Sequence, residues 1–248
     1  MTYSLQLYTL RTAIGEDLPG TIKRVAGLGY TAVEPYNFVA TADELAEALE
    51  ANDLTAPSGH APLLRDDQDE IFEAARKLGI GTVIDPHVER SHWTSDEDIK
   101  ATAEALNAAA KKGAEYGITV GYHNHWWEVE TDFGGRTGLE VLAGALDPAV
   151  VLEVDTYWVA VGGQDPAELL AKLGDRVRFI HLKDGALDKD NTSQVAVGAG
   201  RMDVPSVLAA ARSVEVGVVE LDDSAGDLFE ALEASLHYLQ ADSRQAGA

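Results

Sequence analysis

Strand-like and helix-like segments alternate eight times along this chain. The strand-like segments are short apolar or β-branched runs near residues 3–9, 31–35, 54–60, 81–86, 118–124, 150–155, 177–182 and 215–221. The helix-like segments lie near residues 17–28, 41–52, 66–79, 96–116, 137–146, 166–173, 203–213 and 225–240. Such alternation favours a parallel sheet with helices outside it. Eight units in 248 residues, with no Pro/Gly/Ser-rich linker between them, predict an α/β fold closed into one barrel domain over residues 1–248.

The charge balance argues against nucleic acid or an anionic membrane as a partner. The chain has 42 acidic and 19 basic residues, a net charge of −23, which repels both kinds of surface. It has no cysteine, which excludes disulfides and thiolate chemistry. No apolar run reaches the roughly 18 residues of a membrane span, and the N-terminal MTYSLQLYTLR lacks a signal-peptide pattern. We expect a cytoplasmic protein acting on a small molecule; whether it forms a homo-oligomer is left open.

Four polar residues stand at the ends of the last four predicted strands. They are His123 in ITVGYHNH, Asp155 in VVLEVD, His181 in VRFIHLKD and Glu220 in VGVVEL. The carboxyl ends of the strands of a parallel barrel converge on one face, where active sites are built. Imidazoles and carboxylates together bind divalent cations and can leave a position open for substrate. The pattern therefore predicts a metal-dependent enzyme.

The alternation of side chains across each strand tests this grouping. Successive residues of a strand point to opposite faces, so that in a barrel one set faces the axis and the other faces the helices. All four candidate ligands fall on the face that we predict to point inward. That inward set is Thr119, Gly121, His123, His125, Val151, Glu153, Asp155, Phe179, His181, Lys183, Val218, Glu220 and Asp222.

Two further polar residues end earlier strands in the same manner. Glu34 in TAVEPY and His60 in APSGHAP are expected to line the pocket and contact substrate. Asp85 and His87 are a weaker pair, because the proline between them complicates the end of the strand. Glu153 faces inward one layer deeper than Asp155, and we expect it to form a buried ion pair.

Six segments of the chain resemble the sugar phosphate isomerase/epimerase family, whose members share a xylose isomerase-like TIM barrel of the (β/α)8 type. They occur in family order and together extend over nearly the whole chain. The segments are LQLYTLR at 5–11, GYHNHWWE at 121–128, EVDTYWVAVGGQDP at 153–166, HLKDG at 181–185, VGAGRMD at 197–203 and VVELD at 218–222.

This resemblance implies one bound divalent metal ion, most often Mn²⁺, with Co²⁺, Zn²⁺ or Mg²⁺ as alternatives. Its ligands would be Asp155, His181, Glu220 and a strand-five residue. The strand-five position is commonly glutamate in the family but is His123 here, which argues against epimerisation by two opposed glutamates. The Tyr-His-Asn-His form of strand five is similar to that of inosose isomerase- and dehydratase-type enzymes.

Several residues are candidates for proton transfer. Glu220 is expected to act both as a ligand and as a base, because a carboxylate beside a metal can still accept a proton from substrate. If His123 binds the metal, His125 becomes the acid or base; the alternative is that His125 is the ligand. Lys183 is expected either to polarise the substrate carbonyl or to form a salt bridge with a nearby carboxylate.

Two more residues are candidates for binding substrate. Trp158 stands where ketose epimerases carry a histidine, and we interpret it as an apolar platform for a sugar or cyclitol. Arg201 lies in a glycine-bracketed loop after strand seven, where barrels often bind phosphate, although an ordinary loop arginine is the alternative.

The leading hypothesis is a metal-dependent isomerase or epimerase for a small polyhydroxy carbonyl compound, a sugar or a cyclitol. The metal would chelate the carbonyl and an adjacent hydroxyl, and a base would remove the proton between them to give an enediolate. A lyase or dehydratase acting on a keto-sugar or inosose through the same enediolate is the alternative. A non-catalytic sugar-binding barrel is a further alternative, since fold alone does not fix function.

Overall fold

The computed structural model describes residues 1–246, which form a nearly closed barrel of eight parallel strands. The strands are β1 (Thr2–Gln6), β2 (Val33–Glu34), β3 (Ser58–His60), β4 (Thr82–Asp85), β5 (Thr119–His123), β6 (Val150–Asp155), β7 (Val177–Leu182) and β10 (Val216–Val219). Their order around the barrel is β2-β1-β10-β7-β6-β5-β4-β3. A short antiparallel pair, β8 (Asp184–Gly185) and β9 (Gln194–Val195), follows β7. The predicted barrel is confirmed.

The barrel is completed between β2 and β3 by isolated bridges rather than by a continuous ladder. Backbone hydrogen bonds run from Val33 N to Thr55 O (2.8 Å), from His60 N to Pro35 O (2.8 Å) and from Asn37 N to His60 O (2.9 Å). These bonds hold the ends of β2 and β3 side by side, so Glu34 and His60 face the same interior as the later strands.

The helices lie between the strands, and they include all eight of the predicted helices. They are α1 (Arg11–Glu16), α2 (Leu18–Gly27), α3 (Ala42–Ala51), α4 (Gln68–Leu78), α5 (Asp96–Glu115), α6 (Trp127–Glu130), α7 (Gly138–Ala145), α8 (Thr156–Val161), α9 (Pro166–Leu173), α10 (Val204–Ala210) and α11 (Leu228–Ala246). The short helices α1, α6 and α8 were not predicted. Within the described residues, no helix is both long and apolar enough to span a membrane.

The first predicted strand, 3–9, is too long. The chain turns into a short 3₁₀ segment after Gln6, whose side-chain oxygen accepts a hydrogen bond from Tyr8 N at 3.0 Å. This local side-chain bond offers the backbone an alternative to the sheet ladder. Tyr8 is thereby lifted out of the sheet and onto the carboxyl-end face.

Apolar side chains pack on both sides of the strands, as a barrel requires. The larger packs between the sheet and the helices. A separate small cluster of Ile84, Val151, Phe179, Val216 and Val218 fills the barrel interior. Val151, Phe179 and Val218 belong to the predicted inward set, so the predicted alternation of faces is confirmed. Two positions after Val151, Phe179 and Val218 come Glu153, His181 and Glu220, which therefore lie above this apolar cluster.

Candidate metal centre and active site

The strand ends bring together a dense group of buried polar side chains. Each is at most 6 % exposed. Burying charged groups in this number is costly unless they pair with one another or bind a cation. The group comprises Glu34, His60, His123, Glu153, Asp155, His181, Lys183 and Glu220.

Three of the predicted ligands form one compact set. Asp155, His181 and Glu220 each present a ligand atom within 4.8 Å of the other two. His181 Nδ1 lies 2.7 Å from Glu220 Oε2 and 4.0 Å from Asp155 Oδ2. The predicted fourth ligand, His123, is close by, with Nε2 at 3.8 Å from Asp155 Oδ2. Two carboxylates and an imidazole with further positions open are a donor set suited to a catalytic divalent cation.

One oxygen of Asp155 supports a cation at this set. Its Oδ1 accepts a hydrogen bond from Trp158 N at 2.9 Å, which caps α8. Its Oδ2 is buried and faces the Lys183 ammonium at 2.9 Å and His181 Nδ1 at 4.0 Å. A divalent cation beside the lysine could share this oxygen with His181 and Glu220.

His123 also belongs to a second set, deeper in the barrel. Glu153 Oε2 lies 2.6 Å from His60 Nε2, 3.0 Å from His181 Nε2 and 3.1 Å from His123 Nδ1. Glu34 Oε1 flanks this set, at 2.9 Å from His181 Nε2. The predicted burial and ion pairing of Glu153 are confirmed, but its partners are three imidazoles. Burial and the adjacent His181 hold the pKa of His123 well below its ordinary value.

Lys183 is anchored by three carboxylates. Its Nζ lies 2.7 Å from Glu220 Oε2, 2.8 Å from Asp222 Oδ2 and 2.9 Å from Asp155 Oδ2. Burial alone would lower the pKa of Lys183, but Asp155, Asp222 and Glu220 raise it well above its ordinary value. Burial likewise would raise the pKa of Glu220, but Lys183 and His181 hold it well below the ordinary value. Lys183 is therefore a fixed positive charge beside the metal set.

Metal binding to this set is expected to release a proton from His181. Burial opposes the charged imidazole, but Glu153 and Glu220 raise the pKa of His181 well above its ordinary value, so the metal-free protein holds the proton at neutral pH. A ligand must be the neutral imidazole, so apparent Mn²⁺ affinity should rise with pH, by about tenfold per pH unit for one displaced proton. Calorimetric titrations in two buffers of different ionisation enthalpy measure the protons released. An apparent Mn²⁺ affinity that stays constant between about pH 6 and pH 8, with no protons released, would contradict the predicted loss of the His181 proton.

A cavity of about 200 Å³ opens above the metal set. Its volume is comparable with that of one six-membered polyhydroxy ring. It is lined by Tyr8, Tyr36, Asn37, His60, Pro86, His87, His123, His125, Glu220 and Asp222. His125 stacks on Trp127, with ring centroids 4.3 Å apart, and its Nδ1 has no hydrogen-bond partner in the described part of the chain.

Two predicted substrate contacts lie elsewhere. Trp158 is buried behind Lys183, whose Nζ is 5.6 Å from the indole centroid, and does not line the cavity. Arg201 is exposed and lines a separate surface cavity beside α9 and α10. The aromatic wall consists instead of Tyr8 and Tyr36, which meet edge to face. Tyr8 lies within the family-like segment LQLYTLR, which was the available signal.

The loop that carries Arg201 is fixed by a buried aspartate. Asp184 accepts backbone hydrogen bonds at 2.8–3.0 Å from Gly185, Gly198, Gly200 and Met202. The backbone N–H groups at this position, where barrels often bind phosphate, are thus occupied by the protein's own carboxylate.

Replacing Asp184 with alanine is expected to lower the free energy of unfolding by about 3 kcal/mol or more, because four backbone donors lose their acceptor. Thermal unfolding and limited proteolysis of the 197–202 loop measure the effect. The matched control is Asp66→Ala, at an exposed aspartate, which should leave stability nearly unchanged. Equal melting temperatures for the two variants would contradict the assignment.

Comparison with known proteins agrees with the fold. The profile of the xylose isomerase-like TIM barrel family matches residues 22–240, and the chain belongs to that family. Inosose dehydratase of Bacillus velezensis is 33% identical over 111 residues, which are 44% of this chain and 35% of that protein. The match therefore spans about a third of the relative's length.

Solved structures show the same barrel. A sugar phosphate isomerase/epimerase from Parabacteroides distasonis superposes with a TM-score of 0.82 and 25% identity, covering 97% of this chain and 93% of that one. The IolI protein with a bound zinc atom superposes with a TM-score of 0.73 and 17% identity, covering 96% of each chain. The second likeness concerns the fold alone.

Proposed function

We propose that this protein is a metal-dependent sugar or cyclitol isomerase or epimerase that removes a proton from the carbon next to a carbonyl group. The observation that carries the proposal is the compact buried set of Asp155, His181 and Glu220 below a cavity of suitable size. The sugar phosphate isomerase/epimerase of similar structure supports it.

Asp155, His181 and Glu220 would hold the catalytic cation. His123, the predicted fourth ligand, has its Nε2 3.8 Å from Asp155 Oδ2 and its Nδ1 3.1 Å from Glu153 Oε2. When bound, a divalent cation polarises a carbonyl oxygen and so acidifies the adjacent C–H. The zinc in the IolI structure is consistent with a cation in a barrel of this kind.

His125 is the residue that we assign to accept the proton. It lines the cavity. Its Nδ1 is buried 3.8 Å from Glu128 Oε1, so Nε2 is the nitrogen that we assign to this step. In Glu220, the predicted base, the Oε2 atom already lies 2.7 Å from Lys183 Nζ and 2.7 Å from His181 Nδ1. The ammonium of Lys183 stabilises negative charge that develops on the substrate oxygen, since it needs no reorganisation to do so.

The charges around the cavity favour a neutral substrate. Glu220 and Asp222 line it, and the nearest buried ammonium, Lys183, already faces three carboxylates. The loop N–H groups that could bind phosphate contact Asp184 instead. A phosphorylated sugar would therefore meet net repulsion, whereas a keto-sugar or inosose would not.

Loss of water after the same proton abstraction is the second candidate reaction. It is favoured by the 33% identity of part of the chain to inosose dehydratase. The site also lacks the symmetry of a two-base epimerase, since the base assigned here is an imidazole, His125, and the charged group nearby is a lysine.

The test is turnover of inososes and keto-sugars by the Mn²⁺-loaded protein, followed by NMR, with phosphorylated sugars as the comparison. We expect conversion of a neutral compound, at least about a hundredfold slower in His125→Gln because a general base is lost. The matched control is His92→Gln, at an exposed histidine. Turnover confined to phosphorylated compounds, or unaffected in His125→Gln, would contradict the proposal.

A further inference from the structure

His181 presents its two ring nitrogens to two different groups of ligands. Nδ1 faces Glu220 at 2.7 Å and Asp155 at 4.0 Å, in the set that we assign to the catalytic cation. Nε2 faces Glu153 at 3.0 Å and Glu34 at 2.9 Å, on the opposite side of the ring. The imidazole therefore separates an upper set, Asp155, His181 and Glu220, from a deep set below it.

The deep set consists of His60, His123, Glu153 and His181. Their ligand atoms all lie within 4.8 Å of one another, and all four residues are buried. Three imidazole nitrogens converge on the single oxygen Oε2 of Glu153, at 2.6 to 3.1 Å. The rings of His60 and His181 are parallel, with an interplanar angle of 4° and centroids 5.3 Å apart. Four donors in this arrangement match the closed ligand number of a structural zinc site.

The other oxygen of Glu153 argues against a hydrogen-bond network as the whole explanation. Oε1 is buried and has no hydrogen-bond partner among the described residues. A carboxylate oxygen in a fully satisfied polar network would not remain bare. A cation bound by the carboxylate would compensate the charge that these contacts leave unbalanced.

The charge of the whole group points in the same direction. Five carboxylates and one ammonium meet here, so the group is rich in negative charge that bound cations would offset. If His181 binds one cation through each ring nitrogen, it does so as the imidazolate, which adds one further negative charge when both sites are filled. The carboxylates are Glu34, Glu153, Asp155, Glu220 and the more exposed Asp222, and the ammonium is Lys183.

We propose that His60, His123, Glu153 and His181 form a second cation site beneath the catalytic one. His181 would bridge the two sites as an imidazolate, its two ring protons released on binding, and His123 would bind the deep cation through Nδ1. Three imidazoles and one carboxylate favour Zn²⁺ or a similar ion, whereas the carboxylate-rich upper set favours Mn²⁺ or Mg²⁺. The deep site is closed by four protein ligands and stabilises the barrel, while the upper set keeps open positions for substrate. The proposal stands independently of the reaction assigned to the upper set.

The test is metal stoichiometry, which needs no substrate. Metal-free protein is loaded with one equivalent of Zn²⁺ and then with excess Mn²⁺, desalted, and its metal content is measured by mass spectrometry. We expect two cations per chain, one of each kind. Glu153→Gln should lose the zinc and keep the manganese, and Asp155→Asn should lose the manganese and keep the zinc.

Glu128→Gln is the matched control. Glu128 is a fully buried glutamate whose oxygens accept hydrogen bonds from Tyr122 Oη and His125 N outside the deep set, so this variant should retain both cations. Circular dichroism identifies any variant that fails to fold. If a variant does not fold, the number of cations bound by the wild-type protein still decides, because one cation per chain at saturation would overturn the proposal. Retention of both cations by a folded Glu153→Gln variant would also overturn it.

Discussion

Asp155→Asn is expected to lower Mn²⁺ affinity and kcat/KM by at least about a hundredfold each. Changes to residues that merely support metal ligands cost 10- to 100-fold, and Asp155 is assigned as a ligand itself. The substitution keeps the size of the side chain and leaves Oδ1 able to accept the hydrogen bond from Trp158 N. What it removes is the negative charge beside His181 and Glu220.

Asp85→Asn is the matched control for this substitution. Asp85 is also fully buried at the end of a barrel strand, but its two oxygens accept hydrogen bonds from His87 N and Leu64 N, each at 3.0 Å. Its role is therefore structural, and the variant should bind Mn²⁺ like the wild type if it folds. Equal loss of Mn²⁺ in both variants would indicate a general effect of buried charge and would contradict the ligand assignment.

Lys183→Met is expected to destabilise the metal-free protein by about 3–5 kcal/mol, because it leaves buried carboxylates without their cation. For a chain of this size the melting temperature should fall by about 10 °C. The carboxylates involved are Asp155, Glu220 and Asp222. Bound Mn²⁺ would replace part of the lost positive charge, so the decrease should be smaller when the metal is present.

Thermal unfolding with and without Mn²⁺ measures this coupling. The control is Lys172→Met, at a side chain that is 55% exposed and 3.9 Å from Glu140, where a change of less than about 0.5 kcal/mol is expected. A Lys183→Met decrease that is identical in the two conditions would show that the ammonium and the metal do not act on the same carboxylates.

The faces of the strands were predictable from the sequence, whereas depth along the barrel axis was not. Strands β6 and β7 begin and end as predicted, and the alternation within them fixed which residues point inward. Alternation cannot state which residues on different strands lie at the same height, because that depends on the stagger between strands. The convergence of His60, His123 and His181 on Glu153 was therefore not foreseen.

The positions of loop residues were less predictable than those of strand residues. Arg201 was a candidate phosphate ligand because of its place after strand seven, but the contacts of Asp184 with Gly198 and Gly200 hold its loop at the barrel edge. Tyr8 reaches the cavity because the backbone leaves the sheet after Gln6. In both cases a side-chain-to-backbone hydrogen bond decides the outcome, and sequence periodicity does not encode such bonds.

The most direct test of the proposed reaction is solvent exchange at the carbon next to the carbonyl. The Mn²⁺-loaded protein is incubated with an inosose or keto-sugar in deuterated water, and the substrate and products are examined by NMR. We predict deuterium at that carbon in recovered substrate or isomeric product, or a product that has lost water, and neither with metal-free protein or the Asp155→Asn variant. Tight binding of these compounds by the metal-loaded protein without exchange or elimination would contradict the account and would identify a sugar-binding barrel instead.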